Sequence, residues 1–406
     1  MKLFFIIIIY INSFCYAQWV QQQSNTPRHL FGIDIIDGNT GFVCGDQVGS
    51  IIKTTNSGIN WILYDEPTND QYNSISFADA LTGVVVGPPG ILLRTTNGGI
   101  NWATINHPGN DKGSVQFASA STVYAAGDDI IKSTDGGITW SVILSGTILG
   151  QYQGLHFIDE NTGIVVGRPG LIITTTNGGL NWIQRTMFLP VQFGDSTLTD
   201  VMFVNSLTGY ASGNNGIVMK TTNSGLNWIY KPTGVLSWLQ GIYFSNTQVG
   251  TIVGNTGRIM KTTDGGNNWI NQTSPLNYPL WDVEFSDQNT GWIVGFNGLI
   301  VKTTNGGITW LNPISNGIPL SFNLGQNYPN PFYPQTKIKF DIKISQQARL
   351  SIYNILGAEI EILINEKLSP GTYEVNWDAK SYSTGIYYYS LETGDYTETK
   401  KMVLLK

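Results

Sequence analysis

The sequence predicts an all-β chain: a seven-bladed β-propeller followed by a small antiparallel β-sandwich. Three observations carry this. The stretch KTTNGGITW at 302–310 has six close copies upstream: KTTNSGINW, RTTNGGINW, KSTDGGITW, TTTNGGLNW, KTTNSGLNW and KTTDGGNNW. Their closing residues, Trp61, Trp102, Trp140, Trp182, Trp228, Trp269 and Trp310, stand 41, 38, 42, 46, 41 and 41 residues apart, the period of a propeller blade rather than of a helical repeat. Beyond residue 321 the repeat gives way to long two-residue alternations such as Ile338, Phe340, Ile342 and Tyr373, Val375, Trp377, which predict paired strands.

Met1 to Ala17 has a basic start at Lys2, a short apolar run and a small residue before Gln18, the pattern of a cleaved secretory signal. The apolar run is too short to span a bilayer, and no transmembrane segment is expected in the mature chain. Cleavage would leave Cys44 as the one cysteine, so no intramolecular disulfide is expected. It falls at a strand position that other repeats fill with Val, Ala or Ser, and so is expected in the core.

From 18 to 316 each repeat reads as four strands. The first ends in an alternation such as Ile75 and Phe77 or Val283 and Phe285, the second carries a Val-Val-Gly type run, the third leads into the repeated motif, and the fourth starts at its tryptophan. The Asn-Gly or Asp-Gly core supplies residues that tolerate left-handed backbone angles, so each motif is a tight turn between antiparallel strands. The Thr or Ser three residues before the first Gly, with the Asn or Asp, is expected to bond turn amides under the indole. Trp19, Val20 and Gln21 look like a fourth strand without a preceding turn. They could complete the last blade, or the Trp310 strand could close it alone; the sequence leaves both open. Residues 317–321 read as a linker, and 322–406 as the second domain.

The repeated pattern resembles the Asp-box, and its longer form resembles the repeat of photosystem II assembly factor-like propellers. Only Asp135 and Asp264 keep the acid; Asn holds the place elsewhere, which suits a structural turn. The second domain resembles a type A sorting domain of the type IX secretion system, through Asn327, Pro329, Pro331 and Phe332 of Asn-Tyr-Pro-Asn-Pro-Phe and the terminal Lys400 and Lys401. That resemblance implies the type IX machinery as a partner. It also implies a secreted or surface-attached product, with the domain removed or the mature protein attached to lipopolysaccharide.

Charged residues make up 12% of the chain and the net charge is -6, so no basic face for nucleic acid is expected. His29, His107 and His156 lack ligand spacing and no glycine-rich phosphate loop is present, so neither a metal nor a cofactor is expected.

The loops from fourth to first strands should share one rim with the loops between second and third strands, and rigid repeat scaffolds carry binding on such loops. The first set holds His29, Phe31, Tyr72, Tyr152, Phe188, Phe193, Trp238, Tyr278 and Trp281; the second holds Asp46, Asp128, Asp129, Arg168, Asn214, Asn215, Asn255 and Phe296. Tyr152, Phe188, Phe193, Trp238, Tyr278, Trp281, Arg168 and Asp128 are the candidate ligand contacts, for a glycan or a protein segment. The alternative is a glycoside hydrolase of Asp-box propeller type, which needs two carboxyl groups facing one bond. Asp34, Asp200, Asp282 and Glu284 could line the channel mouth, but other blades mostly hold Gly, Ser, Gln, Met, His or Tyr there. No catalytic residue is assigned.

Overall fold

In each repeat the hydroxyl of a Thr or Ser gathers the turn. Thr95 Oγ1 accepts from the amides of Asn97 and Gly99, and Asn97 Oδ1 accepts from the Asn101 amide. Gly99 sits at φ 81°, a left-handed angle that costs glycine nothing. The five asparagine turns need no charge. In the acidic version the Asp135 carboxylate takes the hydroxyl and amide of Thr139, and these bonds hold it down at about 2.

These turns space out seven sheets in a computed structural model that describes residues 19–46, 51–64, 70–88, 90–145, 152–185, 187–188, 196–272, 274–307, 311–315, 319–368, 370–379 and 382–405. Six blades are consecutive antiparallel strands, spanning 30–64, 74–104, 112–144, 152–184, 198–232 and 239–272. The seventh combines Leu280–Phe285, Gly291–Gly295 and Ile300–Thr303 with Val20–Gln22, paired antiparallel as Val20↔Lys302, Gln21↔Val301 and Gln22↔Ile300. First strands of successive blades touch all the way round, including Leu280–Phe285 against Leu30–Ile35.

The N-terminal strand therefore closes the ring. Trp19 is buried and meets Phe285 edge-on at 5.9 Å and 79°. In blades 2, 4, 5 and 6 the turn's own tryptophan does this: Phe77–Trp102, Phe157–Trp182, Phe203–Trp228 and Phe244–Trp269 lie 5.9–6.3 Å apart at 84–89°. Trp310 lies outside the described residues. The strand after it, Leu311–Ser315, pairs with Gly371–Asp378 in the C-terminal unit. The compact propeller unit is accordingly 19–307, and the other unit takes in 308–406.

Packing between blades runs through the same phenylalanines. Phe42, Tyr124 and Tyr210 stack face to face on Phe77, Phe157 and Phe244 of the next blade, 3.5–3.7 Å between centroids. Those rings lie flat on backbone: a Cβ at Gly83, Gly163 or Gly250 would come within 2.5 Å of the phenylalanine. At the seam Trp292 faces the smaller Ile35 and packs with Ile33 and Trp61, a volume exchange that keeps the core filled. Cys44 is buried among Phe42, Tyr72 and Ile75, as expected.

In five blades the motif's first residue stitches the blade to the next. Lys53 Nζ donates to Gly98 O (2.9 Å), Arg94 Nε to Gly136 O (2.6 Å), Lys132 to Gly178 O (3.1 Å), Lys220 to Gly265 O (3.0 Å) and Lys302 to Ser57 O (2.8 Å). Thus one turn carbonyl anchors a cation from the neighbouring blade. Lys261 instead turns inward to the Thr251 hydroxyl (3.2 Å) and over the Phe285 ring, and burial pushes its ammonium down to about 8.

The C-terminal unit is two four-stranded sheets enclosing Leu324, Ile338, Phe340, Leu350, Trp377, Tyr389 and Met402. Asn327 is buried, its amide donating to Pro329 O and Thr336 Oγ1 and its N–H to the Tyr389 hydroxyl. Phe332 packs on Trp377, and its backbone bonds Val403 and Leu405. The Asn-Tyr-Pro-Asn-Pro-Phe segment thus clamps the last strand, Tyr396–Leu404. Lys401 on that strand is exposed, whereas Lys400 pairs with Glu398 at 3.4 Å. Among the described residues no helix is long and apolar enough to cross a membrane.

Trp228 has 0% exposure while Trp182 is half-buried. Trp228→Ala is expected to cost about 3–5 kcal/mol and Trp182→Ala clearly less, measured by urea unfolding; equal costs would contradict the packing described.

Candidate functional site

The two loop sets share a rim. Residues opening the second-to-third loops donate amides to the carbonyls just before the same blade's first strand: Asp46 to His29, Asp128 to Asp111, Asn214 to Thr197, Asn255 to Trp238 and Phe296 to Pro279, at 2.9–3.0 Å.

On this rim the candidate residues separate. Tyr152 is 3% exposed and belongs to a blade core, as does Tyr72; an aromatic opening an inner strand fills the blade end, so Tyr152 is not a displayed ring. Met187–Phe188 forms a short parallel strand along Trp228–Pro232, placing Phe188 on the outer edge of blade 5 and lengthening that repeat. Phe193 lies outside the described residues. Arg168 is exposed at its turn and Asp128 half-buried. Beside Asp128, the Asp129 carboxylate pairs with Lys112 at 2.5 Å, and the Lys112 side chain is wholly buried. Lys112 stands where other blades start with Leu or Tyr, so this pair replaces apolar packing.

Trp238 and Tyr278 are 37% and 40% exposed, and Trp281 is half-buried. Trp281 stacks on Phe296 (5.5 Å, 17°), Phe296 on His29 (4.0 Å, 8°), and Phe31 closes against Trp281 at 5.1 Å. His29 Nδ1 accepts the Asn297 amide (3.1 Å), which fixes the imidazole in the stack. Among the described side chains of the two loop sets, the displayed aromatics therefore occupy one arc of the rim, blades 6, 7 and 1.

The channel positions behave differently from the carboxylate pair a hydrolase needs. Inner-strand edges carry amides with no further strand to bond, and the preceding blade supplies acceptors. Asp282 and Glu284 accept from Ile33 (3.1 Å) and Ile35 (2.8 Å), Asp34 from Phe77, Asp200 from Ile242 (3.0 Å). Ser74, Ser76 and Gln116 do the same for Val115, Phe117 and Phe157. The alternation of core and polar residues along the first strands was visible in the sequence; that seven of the polar ones, from Asp34 to Glu284, accept from the next blade was the signal missed. Among the described residues no cluster of His, Cys, Asp or Glu could hold a metal ion.

Although part-exposed to the channel, the four carboxyls are surrounded by protein, and loss of solvation pushes Asp34 and Asp200 up to about 7 and Asp282 up to about 6. Repulsion by Asp282 adds to this for Asp34 and Asp200, and Glu284 is raised by burial, then by Asp34 and Asp282. Burial likewise pushes His156 down to about 4.

Seven like blades and an appended two-sheet unit define a repeat propeller with a C-terminal sandwich. The chain belongs to the family described as photosynthesis system II assembly factor YCF48, whose model matches residues 11–155, 148–235 and 233–321. The secretion system C-terminal sorting domain matches residues 326–405, so the protein is a type IX secretion substrate, secreted or surface-attached. No curated protein matches the chain. Solved structures similar to it include YCF48 bound to D1 peptide (19% identity, TM-score 0.61, covering 71% of this chain and 96% of that one). YCF48 from Cyanidioschyzon merolae is similar at 18% identity, TM-score 0.60, covering 70% and 98%. The WD40 propeller of Doa1 shares the fold at 9% identity, TM-score 0.56, covering 70% and 96%.

The folded ring holds protons on carboxyls that release them near the ordinary value of 3.8 when unfolded. Their contribution is full below that value and is lost as pH rises to about 7; His156 opposes it below about 6.5. Asp34→Asn keeps an acceptor for Phe77 and removes the charge. It is expected to stabilise the ring at pH 8 by on the order of 1–3 kcal/mol and to leave pH 4 almost unchanged in urea titrations; a loss of stability at pH 8 would refute the burial cost.

Proposed function

We propose that the propeller is a binding module at the cell surface or in the medium, taking an extended protein segment on the aromatic arc of blades 6, 7 and 1. The observation that carries this is the contrast along one rim. Tyr72 and Tyr152 are buried in their blades, whereas Trp238, Tyr278 and the Trp281–Phe296–His29 stack keep ring area at the surface. Large, stiff rings with polar edges contribute binding at low entropic cost. A YCF48 propeller of the same fold is bound to D1 peptide, which favours a protein segment over a glycan. Hydrolysis is disfavoured because each channel carboxylate already accepts a backbone amide. The leader 1–17 would direct the chain into the periplasm and the sorting domain would take it onward.

Peptide and glycan arrays probed with the full chain are expected to yield a peptide ligand whose affinity falls about 10–100-fold in Trp238→Ala/Trp281→Ala. A glycan bound instead, or a ligand indifferent to both substitutions, would overturn the assignment. Deleting 322–406 is expected to leave the protein in the periplasmic fraction; undiminished surface display would count against the C-terminal unit as the export signal.

A further inference from the structure

The chain carries one more fourth strand than its seven blades can use. The turn before Trp310 is formed as in the other blades, with Thr303 Oγ1 accepting the amides of Asn305 and Gly307. Elsewhere the residue after the turn's tryptophan pairs with the turn's first residue: Lys53↔Ile62, Arg94↔Ala103, Lys132↔Ser141, Thr174↔Ile183, Lys220↔Ile229 and Lys261↔Ile270. That register assigns Lys302 to Leu311 and Val301 to Asn312. Instead Val20 and Gln21 hold those places, and Leu311 and Asn312 pair with Val375 and Glu374.

A single residue explains which copy is held. Three residues beyond the tryptophan, the amides of Ile105 and Arg185 donate to Leu92 O (2.9 Å) and Ile172 O (2.8 Å) on their third strands. The corresponding residue is Gln22 in the N-terminal copy and Pro313 in the C-terminal one. Proline has no N–H to give, so the Trp310 copy closes blade 7 with one bond fewer. Gln22 adds a side-chain bond from the Trp61 indole (3.2 Å). On the C-terminal sheet the same proline lies on an edge strand with a bulge after it, where its missing donor is tolerated.

We infer that blade 7 has two interchangeable closing strands, Val20–Gln22 and Leu311–Ser315, the second held in reserve by its pairing in the C-terminal unit. Losing the N-terminal strand moves Leu311–Ser315 onto Ile300–Thr303 and strips it from Gly371–Asp378. The propeller is thereby insured against loss of its N-terminus, and its closure is coupled to an edge of the sorting unit.

Cysteine pairs in the full chain, with Cys15 and Cys44 replaced by Ala, report which strand is seated. Val301→Cys is combined with Gln21→Cys or with Asn312→Cys, and disulfides formed on mild oxidation are mapped by mass spectrometry. With the parent sequence around them, the 301–21 bond should form and the 301–312 bond should be minor. Trp19→Ala should make 301–312 the major product, with the ring still resistant to protease. Pro313→Gln, which leaves Trp19 and its core untouched, should raise the 301–312 product as well. A Trp19→Ala chain that unfolds, or failure of both variants to raise 301–312, would overturn the exchange.

Discussion

The amides on the innermost edge of each blade face the channel with no strand beyond them, and side chains of the preceding blade bond them at most junctions of the ring. Asp282, Glu284, Asp34, Ser74, Ser76, Gln116 and Asp200 accept from inner-strand amides across five of the junctions. At a sixth, the Tyr243 hydroxyl donates to Phe285 O at 3.1 Å. Buried backbone donors left unbonded cost free energy, so these positions are constrained by the ring before any ligand is considered. Where carboxylates do this work, their own solvation is lost, and the ring is most at ease with them protonated.

A second set of contacts runs outside the first. In five of the seven blades the cation that opens the turn reaches the next blade's turn carbonyl, and the hydroxyl-and-amide cluster that shapes the turn fixes where that carbonyl points. One nine-residue motif therefore shapes its own hairpin and offers a docking point to its neighbour. This explains why Asn replaces Asp in five turns without loss: the acceptor is needed, the charge is not. Among the described rim residues, the displayed rings gather where the chain closes on itself.

Much of this was legible in the sequence because it is written locally and repeated. Blade number, the turn chemistry at Thr95 and Asn97, and the cores of the tryptophans follow from spacing and residue type. The clamp around Asn327 and Phe332 was legible only as a family resemblance. What escaped depends on partners about one repeat away. Lys53 looks like a solvated cation until Gly98 O is seen beside it, and Asp34 looks like a catalytic candidate until Phe77 N–H is. Tyr152 and Trp238 are both aromatics at blade starts, and only the packing of each blade end separates a core ring from a displayed one. The choice between Trp19 and Trp310 stayed open because both sequences fit a fourth strand; the difference lies in the donor that Pro313 lacks.

Closure of the ring by Val20–Gln22 is the claim on which the rest stands, and amide hydrogen exchange of the full chain tests it most directly. The expected result is that Gln22, which faces Ile300, exchanges as slowly as the middle of the Gly291–Gly295 strand, through opening of the whole ring. Exchange of Gln22 at the rate of a free terminus, with blade 7 still protected, would contradict it.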